Sequence, residues 1–272
     1  MTQPSTPSSY RLSVPGVGPV DLSIDERGQG RAFLVLHGGA GPLSVAGLAG
    51  SLAAQGGTRV LTPTHPGFER TPRPDALSDA AGLASVYESL LDRLDLTRVV
   101  VIGNSLGGWI AAQLALGGAA HRIDGIVLLN AVGIAVEGHP IAETAGVPVD
   151  QIMALSYHDP APYRVDPASL PDERKAAIAA NREAIALYGG PTMCDPELRG
   201  RLGAVKTPAL VVWGESDRIA DLEYGRAFSA AIPGARFEPI PRAGHFPQIE
   251  RADATLAAIT RFTGELDPGP VR

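Results

Sequence analysis

Cysteine is all but missing from this chain: Cys194 stands alone, which excludes an intramolecular disulfide and leaves one thiol, too few for a metal site. Lysine is nearly as scarce, with only Lys175 and Lys206, and no local Lys/Arg run forms a basic face. The 23 basic side chains are outnumbered by 29 acidic ones, giving a formal net charge of −6. A nucleic-acid binder needs cations to displace counterions, so nucleic acid is set aside as a partner. Apolar runs fall short of the ~20 residues required to cross a bilayer, so no membrane partner is expected. The opening MTQPSTPSS has no apolar centre and does not read as a signal peptide, so a cytoplasmic protein is expected.

What is abundant is glycine (32) and proline (24), about a fifth of the 272 residues, beside 44% hydrophobic residues. That much apolar material argues for a folded protein with many tight turns rather than disorder. Tyr10 to Ile24 alternate around a Pro/Gly bend, as an antiparallel hairpin does. Short apolar runs follow at Ala32–Leu36, Thr58–Leu61, Val99–Ile102, Ile126–Leu129, Ala209–Trp213 and, more weakly, Arg236–Ile240. Continuous Val/Ile/Leu without polar alternation suits parallel strands covered on both faces. Helical patterns at Val45–Gln55, Asp79–Leu94, Leu106–Leu116, Asp221–Ala231 and Ala252–Phe262 separate them, and this rhythm predicts a doubly wound α/β sheet.

One stretch breaks the rhythm. About 70 residues, Gly133 to Leu202, show no strand pattern but do contain the helix former Asp172–Tyr188, and they read as an inserted helical lid. The expected organisation is a tail over residues 1–9, a core over 10–132 and 203–264, a cap over 133–202, and a second tail over 265–272.

The sharpest local signal is Val99–Gly108, a strand running into Gly-Asn-Ser-Leu-Gly and then into a helix. This is the context that gives G-x-S-x-G its meaning, with Ser105 at a strained turn and small residues, Gly103 and Gly107, two places either side. The helix that follows aims its free N–H groups at negative charge forming beside the hydroxyl. A serine nucleophile needs a base, and the base an orienter. Of the six histidines, His245 is best placed, in a loop between a strand-like segment and a helix; His65 keeps a smaller chance of lining a pocket. Asp217, just past the Ala209–Trp213 strand, is favoured as the acid over Glu215 and Asp221. The other position for an acid, after Ile126–Leu129, offers Asn130, which cannot hold the charge. The loop His37-Gly-Gly-Ala-Gly41 supplies close backbone approach, so Gly39 and Leu106 N–H are assigned as oxyanion donors. His37 and Gly38 shape that loop and, with Trp109, are placed on the substrate side. No cofactor or metal is called for, a small-molecule substrate is the expected partner, and a homodimer is left open.

Assembled, these segments resemble the α/β-hydrolase superfamily over about Tyr10–Gly264: HGG at His37–Gly39, HPGF at His65–Phe68, GNSLGG at Gly103–Gly108, WGESD at Trp213–Asp217 and GHFPQIE at Gly244–Glu250. The resemblance implies an α/β-hydrolase fold, a mostly parallel eight-stranded sheet flanked by helices, with a helical cap after the sixth strand and catalysis without a cofactor. It implies a serine hydrolase, with carboxylic-ester or lactone hydrolysis as the default. A narrower resemblance, through His37–Pro42, Gly103–Gly108 and Gly244–Glu250, is to C–C bond hydrolases of meta-cleavage products. Their substrate-carboxylate arginine would here fall to Arg164 or Arg182, and Phe246 replaces their usual tryptophan. A nonhydrolytic lyase or ligand receptor on the same fold is the remaining alternative.

Overall fold

The structure is a computed structural model, and it describes residues 6–144 and 146–266. Eight strands form one sheet: β1 (Thr6–Val14), β2 (Gly18–Gly28), β3 (Arg31–Leu36), β4 (Thr58–Pro63), β5 (Val99–Asn104), β6 (Ile123–Leu129), β7 (Ala209–Gly214) and β8 (Arg236–Ile240). Their spatial order is β1-β2-β4-β3-β5-β6-β7-β8. The β1/β2 and β2/β4 pairs are antiparallel, and every pair from β4 through β8 is parallel.

Side chains alternate across each parallel strand, so both faces carry apolar residues. Phe33, Val35, Val100, Ile102, Val127 and Val212 pack with Val45, Leu48, Ile259 and Phe262, from α1 (Leu43–Ala54) and α9 (Ala252–Glu265). Leu34, Leu36, Val101, Leu128 and Val211 pack on the other face with α2 (Ala80–Arg93), α3 (Leu106–Leu116) and α7 (Leu222–Ala231). Two-sided coverage is why these strands read as unbroken apolar runs. Two helix starts are capped as their sequences suggest: Asp79 accepts from Gly82 N–H at 2.7 Å and Asp221 from Tyr224 N–H at 2.8 Å.

Both tails require adjustment. β1 begins at Thr6, so Thr6–Ser9 belong to the sheet, where Thr6 pairs with Glu26 and Ser9 with Ser23. As an edge strand, β1 tolerates Pro7. At the other end α9 reaches Glu265, and Leu266 is buried against the sheet. The remaining tail residues, 1–5 and 267–272, lie outside the described residues.

Between β6 and β7 stand α4 (Val149–Ser156), α5 (Asp172–Gly189) and the short α6 (Leu198–Arg201), joined by loops and single 3₁₀ turns. Among the described residues of this stretch, the one strand-like pairing is an isolated bridge between Gly133 and Cys194. One more short helix, α8 (Pro247–Glu250), precedes α9. No helix among the described residues is long and apolar enough to cross a membrane.

Candidate active site

The C-terminal ends of β3, β5, β6, β7 and β8 open onto one edge of the sheet, and the site is assembled there. Ser105 occupies the turn between β5 and α3 with φ 55° and ψ −118°, a backbone conformation costly for a residue with a side chain. Sterics dictate the flanking glycines. A Cβ on Gly103 would lie 2.0 Å from the Gly107 carbonyl oxygen, and one on Gly107 would lie 2.2 Å from that of Leu36. The Ser105 side chain makes no capping bond to α3, so the first N–H groups of the helix remain directed at the space beside the hydroxyl. Leu106, the first residue of α3, provides one of them.

Its counterpart, Gly39, sits in the turn closed by Gly41 N–H donating to the Gly38 carbonyl at 3.1 Å. This loop lies against Ser105: a Cβ on Gly38 would come within 2.7 Å of its Cβ and 3.3 Å of its Oγ. Above it, a Cβ on Gly39 would meet Ile185 of α5 at 3.1 Å, so the segment between β6 and β7 roofs the loop.

At the far side, the turns after β7 and β8 are pressed together, since a Cβ on Gly214 would lie 2.0 Å from the Gly244 carbonyl oxygen. That contact brings His245 to Asp217, with Nδ1 2.8 Å from Oδ2 and both side chains buried. The carboxylate accepts three further bonds, from Asn130 Nδ2 at 2.7 Å, Ile219 N–H at 2.8 Å and Ala220 N–H at 3.3 Å. A carboxylate so supplied with donors is fixed in orientation. Because the Asp217 carboxylate oxygens are the acceptors, His245 Nδ1 carries the hydrogen and Nε2 is left without one.

Three residues given no role by the sequence support this pair. Asn130, with φ 44°, donates to Asp217 and accepts from Gly214 N–H at 3.1 Å, so the position that could have carried the acid orients it instead. Asn104 Nδ2 joins the Leu129 and His245 carbonyls at 3.1 and 3.0 Å, tying the strand before Ser105 to the histidine loop. Glu250 accepts from Gly244 N–H at 2.6 Å through one oxygen and from His158 and Asp159 N–H at 2.9 and 3.2 Å through the other. Since Ser156 also accepts from His245 N–H at 2.6 Å, the end of α4 is stitched to the loop that carries His245. The place after β6 where an acid could stand is the one sequence clue to Asn130; the others arise from long-range packing.

Two of the expected substrate-side residues are placed differently. The His37 ring is fully buried with both nitrogens engaged, Nδ1 donating to the Gly38 carbonyl at 2.8 Å and Nε2 accepting from His65 N–H at 3.1 Å, so it shapes the loop and presents nothing to a ligand. Burial, helped by the neighbouring His65, holds its pKa well below the ordinary value, and the ring is neutral. Trp109 is a core residue: it is buried, and Gly133 packs on its ring, where a Cβ would fall 2.5 Å from the indole. His65 is likewise fully buried rather than pocket-lining, and desolvation lowers its pKa to about 4. His139, half-buried, pairs with Asp221 at 2.7 Å; the exposed His158 bonds Ser216 Oγ at 2.8 Å and the exposed His121 bonds the Gly118 carbonyl. No cluster of three or more His, Cys, Asp or Glu among the described residues is arranged to hold a metal ion.

Comparison with known proteins fits this arrangement. The chain is 27% identical over 280 residues to a 2-hydroxy-6-oxo-6-phenylhexa-2,4-dienoate hydrolase from Burkholderia cepacia, covering 93% of this chain and 95% of that one. It is 29% identical to a 2-hydroxy-6-oxononadienedioate/2-hydroxy-6-oxononatrienedioate hydrolase from Cupriavidus pinatubonensis, over 76% of this chain and 77% of the other. Its fold superposes on a thermophilic esterase from Thermogutta terrifontis with a TM-score of 0.77 at 21% identity, covering 95% and 99% of the two chains. The model of the alpha/beta hydrolase family matches residues 33–258. With the elbow, the sheet order and that match in agreement, the chain belongs to the alpha/beta hydrolase family.

Proposed function

We propose that the protein is a serine hydrolase that cleaves small, largely apolar carboxylic esters or lactones through an acyl-enzyme on Ser105. The observation that carries this reading is the buried, fixed Asp217–His245 pair, whose loop Asn104 ties to the strand that ends at the elbow serine. His245 Nε2 takes the Ser105 proton as Oγ bonds to the substrate carbonyl carbon, and Asp217 stabilises the imidazolium that results. The carbonyl oxygen becomes an oxyanion held by Gly39 and Leu106 N–H. Collapse breaks the bond to the leaving oxygen, which receives the proton from His245. Water then attacks the acyl-enzyme, His245 accepts its proton, and that proton returns to Ser105 Oγ as the acid departs.

The same groups could serve a second reading, favoured by the relatives: cleavage of a C–C bond in a vinylogous diketone. The named substrate of the Burkholderia cepacia relative is a dienoate, an anion, and a buried anion requires a cation or several donors. Arg164 and Arg182 are exposed, while Arg174 is committed to Glu69 at 3.1 Å. A neutral substrate suits those placements better, and the ester reading stands first. Turnover of p-nitrophenyl esters and lactones, abolished by Ser105→Ala, is expected. Turnover confined to vinylogous diketones would replace the ester reading with the second one.

A further inference from the structure

Two buried histidines remain without a part in that chemistry. His65, in the loop after β4, holds the loop after β3 by two bonds. Its Nε2 donates to the His37 carbonyl at 2.8 Å, and its own N–H donates to His37 Nε2 at 3.1 Å. With Nε2 carrying the hydrogen, Nδ1 is an acceptor, and it takes the hydroxyl of Tyr87 from α2. His37 passes the restraint on, since its Nδ1 donates to the Gly38 carbonyl at 2.8 Å. That same peptide unit carries the Gly39 N–H, and a Cβ on Gly38 would fall 2.7 Å from Ser105 Cβ.

The two imidazoles lie with centroids 3.8 Å apart, and Phe68 sits edge-on to both, at 4.8 and 5.6 Å. Tyr188 of α5 stacks on Phe68 and donates its hydroxyl to the Pro66 carbonyl at 2.8 Å. Tyr87, His65 and His37 therefore form a directed chain from α2 to the loop that faces the nucleophile, and α5 clamps it from above. Each member is fully buried and every ring nitrogen is used, which excludes proton exchange between either histidine and a substrate. A glycine loop has little stiffness of its own, and an oxyanion donor is effective only when it is held in place before charge develops.

We propose that His65 and Tyr87 are positioning residues that fix the Gly39 N–H for the oxyanion, acting through His37. This rests on the serine-hydrolase reading above. It predicts a loss confined to the transition state, because the brace touches no ground-state substrate.

The test compares His65→Leu, His65→Gln and Tyr87→Phe with wild type on a turned-over p-nitrophenyl ester. A trifluoromethyl ketone, which forms a tetrahedral adduct, serves as inhibitor. His65→Leu removes both ring bonds and is expected to lower kcat about 10- to 100-fold, less than the ~10²–10³ for deleting a donor outright, with KM within about twofold. The inhibition constant for the ketone should rise in parallel. His65→Gln, whose amide offers a donor and an acceptor side by side, should recover most of both. If His65→Leu does not fold, Tyr87→Phe decides the matter: a several-fold fall in kcat with weaker ketone binding supports the brace, and unchanged values overturn it. A folded His65→Leu with wild-type kcat and ketone affinity would also overturn it. Labelling wild type and Ser105→Ala with a fluorophosphonate separates the two levels. Absence of label on wild-type Ser105 removes the hydrolase reading and the brace together, whereas labelled enzyme with indifferent His65 and Tyr87 variants removes the brace alone.

Discussion

Acid should unfold this protein through its buried histidines, and the size of the effect can be worked from His65. Its pKa is about 4 in the folded chain because burial disfavours the imidazolium, against an ordinary value near 6.5 once the chain unfolds. Below pH 6.5 the unfolded state takes up a proton that the folded state refuses. The contribution is therefore complete above about pH 6.5 and declines as pH falls toward 4. Over that window one such group lowers stability by about 1.4 kcal/mol per pH unit, or about 3 kcal/mol in total. His37 acts in the same direction, since burial also depresses its pKa. Against the 5–15 kcal/mol typical of a folded domain this is a large fraction. Urea unfolding followed by fluorescence of the buried Trp109 and Trp213 supplies the assay, run from pH 7 to 4 on wild type and His65→Gln. Acid-sensitive groups away from His65 affect both proteins alike, so the difference between their stabilities should change by about 3 kcal/mol across the window, with wild type losing more. Parallel profiles would refute the claim that a neutral, desolvated His65 is part of the native state.

Three further outcomes follow from named contacts. Asn130→Ala takes one donor from Asp217 and one acceptor from Gly214 N–H; steady-state kinetics should show kcat down roughly tenfold or more, in keeping with ~1.5–3 kcal/mol for a bond to a charged group. Gly103→Ala places a Cβ 2.0 Å from the Gly107 carbonyl oxygen, and thermal unfolding should show a protein less stable by at least ~1–3 kcal/mol, or one that fails to fold. Glu250→Ala frees the Gly244, His158 and Asp159 N–H groups at once; hydrogen exchange should quicken across residues 156–159 and 244–246 together, while unchanged exchange in either stretch would deny the coupling.

Much of the fold could be read before any coordinates because both faces of β3 to β8 are covered and leave continuous apolar runs. The first residues of β1 escaped that reading: Thr6–Ser9 are polar, include Pro7, and gain strand geometry only from pairing with β2 at the sheet edge. The elbow was legible because Gly103 and Gly107 are demanded by backbone contacts that admit no substitute. The surroundings of Trp109 are hidden for a different reason. The helix α3 is buried on all sides from Leu106 to Ala115, so its sequence has no polar face to show which side meets the pocket. The His37–His65 pairing is hidden by a separation of 28 positions in the sequence and appears only when β3 and β4 lie side by side. Asn130 was noticed for the charge it lacks, whereas its use depends on β6 and β7 delivering it to Asp217.

The central claim is that Ser105 becomes acylated. Rapid quenching of the enzyme during turnover of a p-nitrophenyl ester, followed by mass spectrometry of the peptide spanning Val99–Leu116, tests it most directly. The account predicts a transient mass increase equal to the acyl group on Ser105, formed with the first burst of nitrophenol and absent from Ser105→Ala. Turnover without any acylated Ser105, or an acyl group carried by another residue, would contradict it.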